Sequence, residues 1–314
     1  MARLRVIVLA LVAAVLCGCG NAGPATSAPS AQESHVQELG VLQKKPLNDY
    51  TWSELAEISS RIAAATSDEE GRSIAHEFGL VDDAGKLSDQ TKQIKLNETR
   101  ALDVRLAGIR HDNKSDGTGK AGLTFMTVGA LDIRPMNDVA TVEGGWEASA
   151  LRNWLNGDAT SMFEKELVGV IVPVNKLTNN VGLTESFDSI TETSDKLWVP
   201  SVHEVCGDVT WDIEEFRQRR GYEDVDGLLN AEGDQYEVFA QAGVTGSDAA
   251  GGFLSLAAST GPYPWWYRTP YPFEWHNLGP TGNDGFFYRV MDSGYPKSIG
   301  SPEDPSSVVT CFCV

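Results

Sequence analysis

The stretch 263–275, YPWWYRTPYPFEW, concentrates the side chains best suited to recognising a ligand. It packs three of the chain's eight tryptophans and three of its eight tyrosines around one arginine, Arg268. A flat ring can cover the apolar face of a sugar while Arg, Asn and Asp take its hydroxyls, so aromatics beside polar groups suit carbohydrate or peptide binding. Tyr271, Trp275, His276 and Tyr288 are the candidates for an exposed ligand-binding surface. Arg268 is a further candidate, although the role expected of it first is structural, a tie to a buried carboxylate or to carbonyls. Prolines at 264, 270 and 272 remove backbone donors, which predicts a short strand over 265–268 and then an irregular aromatic loop. Side chains alternate along a strand, so one of Trp265 and Trp266 should enter the core and the other face outward.

Metal ligation has two places to look. Loop 111–119, HDNKSDGTG, has the composition of a calcium loop, but Lys114 stands at the third position of the twelve-residue template and Leu123 at the twelfth, where a bidentate Glu belongs. An Asp/Asn/Gly-rich turn is the expectation there. Asn283 and Asp284 follow Gly282 and are the remaining candidate calcium ligands, in a pattern that first describes a hairpin turn. No metal or other cofactor is therefore expected. The sequence holds no Gly-x-Ser-x-Gly, His-Glu-x-x-His, phosphate-loop or dinucleotide fingerprint, and no catalytic residue is assigned.

The five cysteines bear on compartment. Arg3 and Arg5 precede an apolar run at 6–16 that is too short to span a bilayer, the pattern of a targeting segment. Leu16-Cys17-Gly18-Cys19 resembles a bacterial lipobox, with Leu at −3, Gly at −1 and a cysteine, Cys19, that would carry lipid. The expectation is a lipoprotein signal peptide over 1–18 and an extracytoplasmic protein anchored through Cys19. In that oxidising compartment Cys206 is expected to bridge Cys313, or alternatively Cys311, leaving one free thiol. Formal net charge is −19, and −21 without residues 1–18, since 23 basic residues then face 44 acidic ones. That balance excludes nucleic acid as a partner and argues against binding to an anionic lipid surface.

Several elements must position these groups. Residues 19–49 are rich in Gly, Ala, Ser and Pro and read as a disordered linker. Thr51–Glu54 and Ser67–Glu70 are helix starts, predicting a helical hairpin, 51–65 and 67–78, within a unit spanning 50–79. Strands are predicted at 92–96, 102–110, 123–130 and 168–177, a helix over 145–156, a second near 163–167 and a polar surface excursion over 178–195. A short strand over 195–200, a capped turn at 201–204 and a helix over 233–242 follow. The stretch 207–232 reads as acidic and irregular, GFFYRVMD (285–292) as a strand and 308–314 as the closing strand. Residues 80–314 read as one domain.

Five blocks carry a resemblance: GWEASALRNWLN (145–156), PVNKLTNNVG (173–182), TSDKLWVPSVHEVCG (193–207), LNAEGDQYEVF (229–239) and WWYRTP (265–270). They resemble an uncharacterised bacterial extracytoplasmic domain-of-unknown-function family, in which the last block is usually W-W-x-R-S-P; here Thr269 stands in place of Ser. The layout is similar to the C-type-lectin-like fold and its formylglycine-generating-enzyme branch. The resemblance implies an α+β, C-type-lectin-like domain with long loops, preceded by the small helical hairpin. It also implies a lipid-anchored, non-catalytic binding module at the cell surface, with a glycan or a partner protein as ligand and contact with the membrane through the anchor alone. The alternatives are an extracytoplasmic enzyme of the formylglycine-generating type, using copper and two nearby thiols, and a structural cell-envelope spacer.

Overall fold

The computed structural model describes residues 42–96, 100–211, 224–246, 264–273 and 285–314. Helix α1 (Trp52–Ala63) starts on a reciprocal cap. The Thr51 hydroxyl accepts from the Glu54 N–H, and the Glu54 carboxylate accepts from the Thr51 N–H, which satisfies two otherwise orphaned groups. Helix α2 (Asp68–Glu77) starts on Ser67 and gives way to Gly79, whose φ of 72° suits glycine. Leu55, Ile58, Ile62 and Ala75 are all buried. They do not form a separate core. Leu42–Val314 is one compact unit, and Trp52 packs edge-on against Phe125 and Phe312, with ring centroids 5.5 and 5.8 Å away.

Those two phenylalanines belong to an antiparallel sheet ordered β1 (Thr91–Lys95), β2 (Ala101–Ile109), β3 (Leu123–Val128) and β11 (Cys311–Cys313). The closing strand thus returns to the first sheet, with Phe312 opposite Phe125. A second sheet is ordered β4 (Ile133–Arg134), β10 (Ser306–Ser307), β7 (Trp265–Pro270), β8 (Phe287–Val290) and β9 (Ser298–Gly300). Strand β7 lies in its middle, paired on both edges, and every one of its residues is buried. Trp265 and Trp266 are therefore both interior, and the expected outward-facing member of the pair does not exist.

Strand β5 (Val174–Asn179) and β6 (Ile190–Asp195) form a separate antiparallel hairpin, with Val174 opposite Asp195 and Asn179 opposite Ile190. The sequence reading differs here twice. The strand expected from 168 begins only at Val174, because helix α4 (Lys165–Val170) runs to Val170 and Pro173 then forbids its continuation. The polar excursion expected over 178–195 contains β6, whose inward residues Thr193 and Asp195 are polar and so leave no hydropathy signal. Helix α3 (Ala150–Leu155) sits inside the range expected for it, capped by Ser149. Helix α5 (Val202–Cys206) has a full capping box between Ser201 and Glu204. Short helices at Val225–Asn230 and Glu237–Gln241 complete the described chain, the first within the stretch read as irregular.

Candidate functional site

The second sheet, hairpin β5–β6 and helix α5 converge on a buried ionic centre. Hydropathy would put Leu177 inside β5 and its neighbours outside. The register does the opposite: Leu177 is 36% exposed, while Lys176 is 3% exposed and Thr178 fully buried. Lys176 Nζ donates to Asp112 Oδ1 at 2.5 Å and to the Tyr236 hydroxyl at 3.1 Å, and it also contacts Glu204 Oε1. The rings of Trp198 and Tyr236 flank the ammonium, with centroids at 4.8 and 5.4 Å. Trp198 Nε1 donates to the same tyrosine oxygen at 3.1 Å.

Arg268 closes the centre from β7. Its Nε donates to Thr178 Oγ1 at 2.7 Å. Nη1 donates to the Val199 carbonyl at 3.2 Å and to Glu204 Oε2, and Nη2 to the carbonyls of Leu177 and Glu232 at 3.0 and 3.2 Å. These acceptors engage all five N–H groups of the guanidinium fork. Glu204 in turn accepts from the Ser201 N–H at 3.0 Å, so one carboxylate caps α5 and neutralises two cations. Glu232 accepts from the Asn179 N–H at 2.9 Å and from the Thr269 hydroxyl, whose oxygen accepts from Val202 N–H at 2.9 Å. Thr269 therefore needs only its hydroxyl for this role, which is the group Ser would also supply.

Burial sets the electrostatics. It works to raise the Asp112 carboxyl, but the Lys176 ammonium and His111 hold it well below the usual carboxylate range. Burial opposes ionisation of Glu204 as well, and Arg268 and Lys176 overcome it. Lys176 is raised despite its burial, by Asp112 and Glu204. Glu232 has no such surplus of cation: burial pushes it up to about 7, against the pull of Arg268. Lys176 and Arg268 thus face two committed carboxylates, Asp112 and Glu204, and Glu232 is the carboxyl of the set that ionises least readily.

A second buried carboxylate, Asp195, joins two of the blocks quoted above. Trp146 Nε1 donates to it at 3.0 Å, Arg152 Nε at 2.6 Å, Asn156 Nδ2 at 3.2 Å and the Thr193 hydroxyl at 2.7 Å. Gly145, just before Trp146, has φ 54°, and a Cβ there would lie 2.0 Å from the Asn179 carbonyl oxygen, so only glycine allows this close approach.

The proposed ligand residues separate. Arg268 is 0% exposed and takes the structural role, so it cannot touch a ligand from solution. Tyr288 is also buried, packed between Trp211 at 5.8 Å and Tyr271 at 5.4 Å. Tyr271 and Phe273, edge to face at 5.3 Å, are half-buried where the chain leaves β7. Trp275, His276, Asn283, Asp284 and Cys19 lie outside the described residues.

The expected Cys206 bridge to Cys313 or Cys311 is not formed; all three are free, buried thiols. Cys206 Sγ faces the Tyr267 hydroxyl at 3.5 Å, whereas Cys313 Sγ faces Thr124 Oγ1 at 3.2 Å and Asp112. Burial pushes the Cys206 thiol up to about 12 and those of Cys311 and Cys313 well above their ordinary value. Such thiols are poor nucleophiles.

Lys176, Asp112, Glu204, Glu232 and Asp195 were not singled out from sequence. Glu204 was legible only as a capping residue, and Asp112 only as part of a turn, which loop 111–119 does form through Lys114 and Gly119. Lys176 left one trace, a lone cation at the end of an apolar run.

Fold and centre define an α+β domain organised around a buried Arg-Glu-Lys-Asp network. The chain belongs to a family described as a domain of unknown function (DUF6273), whose match covers residues 120–280, about half of the chain and most of the residues that build both centres. No curated protein and no solved structure matches it.

Proposed function

We propose that the protein is a lipid-anchored, extracytoplasmic binding module of C-type-lectin-like arrangement, whose ligand is a glycan or a partner protein and which performs no catalysis of its own. The observation that carries the reading is the aromatic ledge of Tyr271 and Phe273. Its partly buried rings stand just beyond a strand whose residues are all locked into the core. Aromatic rings held at the edge of a packed strand, one of them carrying a hydroxyl, lose little conformational freedom on binding. The terminal strand that rejoins the first sheet beside β3 supports the lectin-like arrangement. The anchor rests on Leu16-Cys17-Gly18-Cys19 and the linker after it. Burial of Cys311 and Cys313 speaks against the thiol-dependent enzyme reading, since neither sulfur is open to a substrate.

A glycan and envelope-polymer binding screen on residues 40–314 tests the reading. Saturable binding that Tyr271→Ala weakens, with the melting temperature kept, is the expected result. A screen without a hit that survives titration leaves the spacer as the better account. For the anchor, Cys19→Ser should move the protein from the membrane to the soluble fraction in a detergent partition; full membrane retention refutes it.

A further inference from the structure

A second set of polar groups lies apart from both centres and from the aromatic ledge, in a cleft of about 680 Å³ lined by the end of α2, the segment 79–90 after it, Arg105 of β2 and the helix Glu237–Gln241. That volume falls in the range of small-molecule sites. Arg105 lines the cleft from the middle of β2, where its backbone pairs with Thr91 and Met126. Among the described residues its guanidinium has no ion-pair partner, and its buried Nε has no hydrogen-bond acceptor. Burial alone lowers its pKa; no nearby carboxylate offsets the effect.

The nearby carboxylates are committed elsewhere or stand off. Glu237 pairs with Arg72 at 2.6 Å and Asp83 with His76 at 2.9 Å. Asp82 accepts from the N–H groups of Ala84 and Lys86. Asp89, on the rim, makes no ion pair with Arg105. Lys44 and Lys86 also line the cleft without an ion pair among the described residues. Asp82, Asp83 and Asp89 balance the three cations of the lining in number, but the buried Nε of Arg105 is left without an acceptor, and such a donor is costly unless something satisfies it.

We infer that this cleft binds a small carboxylate-bearing ligand of sugar-acid size, with Arg105 as its bidentate partner. The guanidinium fork matches a planar carboxylate with two parallel hydrogen bonds. Gln90, Gln241 and Ser88 line the same space; their oxygens accept from the N–H groups of Leu47, Leu87 and Gln90, which leaves their side-chain donors for ligand hydroxyls, and Val238 offers an apolar wall. The C-terminal ends of α2 and of the helix Glu237–Gln241 both border the cleft, through Gly79 and Ala242. Their carbonyl ends oppose any anion, and a doubly charged one more than a singly charged one, so the Arg105 fork has to outweigh them and phosphate is the poorer fit. The inference does not depend on the aromatic ledge, which other elements form.

The test is titration of the full-length protein with D-glucuronate, D-glucose and inorganic phosphate, read by calorimetry and by thermal shift. Glucuronate should bind saturably and raise the melting temperature. Glucose and phosphate should bind at least tenfold more weakly. Arg105→Gln should weaken glucuronate tenfold or more, and Arg105→Lys, which keeps the charge and loses the fork, should also weaken it. Arg61→Gln, which removes an exposed arginine paired with Glu57, should change nothing. If Arg105→Gln fails to fold, Arg105→Lys together with the ligand comparison on the unaltered protein decides. Equal binding of phosphate or glucose, equal binding by the Arg105→Lys variant, or no saturable binding of glucuronate overturns the inference.

Discussion

Removing Arg268 should be among the most damaging single changes in the domain, through charge rather than volume. In Arg268→Met the aliphatic bulk stays, but Glu204 loses one of its two cations, and Thr178 Oγ1 and the carbonyls of Leu177, Val199 and Glu232 lose their donors. Breaking a buried pair by deleting one partner costs about 3–5 kcal/mol, because the remaining charge stays buried. Domain stabilities of roughly 5–15 kcal/mol leave little margin for such a loss. Arg268→Lys keeps the charge but cannot reach every acceptor, and about 2 kcal/mol of loss is expected from the unmade bonds. The decisive comparison is a double-mutant cycle with Glu204→Gln. Once position 204 is neutral, Arg268→Met leaves no stranded carboxylate, so its cost should fall by about 2 kcal/mol or more. Urea unfolding at pH 6, followed by tryptophan fluorescence, measures all four proteins. A single-variant cost below about 1 kcal/mol, or the same cost in both backgrounds, refutes the claim that Glu204 is the partner that matters.

The pH dependence of stability has two opposed arms. Glu232 holds its proton to about 7 when folded but ionises near 4.5 when unfolded, so its contribution is full below 4.5 and is lost as pH rises through 7. The 2.5-unit difference corresponds to roughly 3 kcal/mol. Asp112 and Glu204 are shifted down, so their contributions are full above the ordinary carboxylate range and are lost in acid. Melting temperature should therefore peak in mild acid, and Glu232→Gln should flatten the fall from pH 5 to 8; an unchanged slope in that variant refutes the assignment. Trp266→Ala should cost about 3–5 kcal/mol by urea unfolding, since Trp266 is fully buried and its Nε1 also loses the Arg134 carbonyl, whereas Tyr271→Ala should cost less than half as much. Cys206, Cys311 and Cys313 should all resist a thiol reagent in the native protein and all react in guanidinium; a non-reducing peptide map that links two of them would reinstate the bridge.

The sequence by itself determined the local elements. Thr51 with Glu54, and Ser201 with Glu204, are caps whose partners lie three residues away, so the information is local and the helices start where the spacing says. The five quoted blocks identified the family for the same reason, since each is a short contiguous run. What only the tertiary structure decided is which of those residues meet. Leu177 faces outward and Lys176 inward because Asp112, 64 residues away in sequence, and Glu204 compensate the ammonium; a hydropathy pattern weighs each residue alone and cannot see its counter-ion. Strand β6 was invisible because its inward residues are polar: Thr193 donates to Asp195, and Asp195 is satisfied by Trp146 and Arg152 rather than by apolar neighbours. Both tryptophans of β7 are interior because strands pair on each side of it and the β5 hairpin lies against it, and no feature of WWYRTP states how many layers will cover it. Burial of polar groups is a property of pairs brought together from distant positions, so it becomes legible only once the chain has folded.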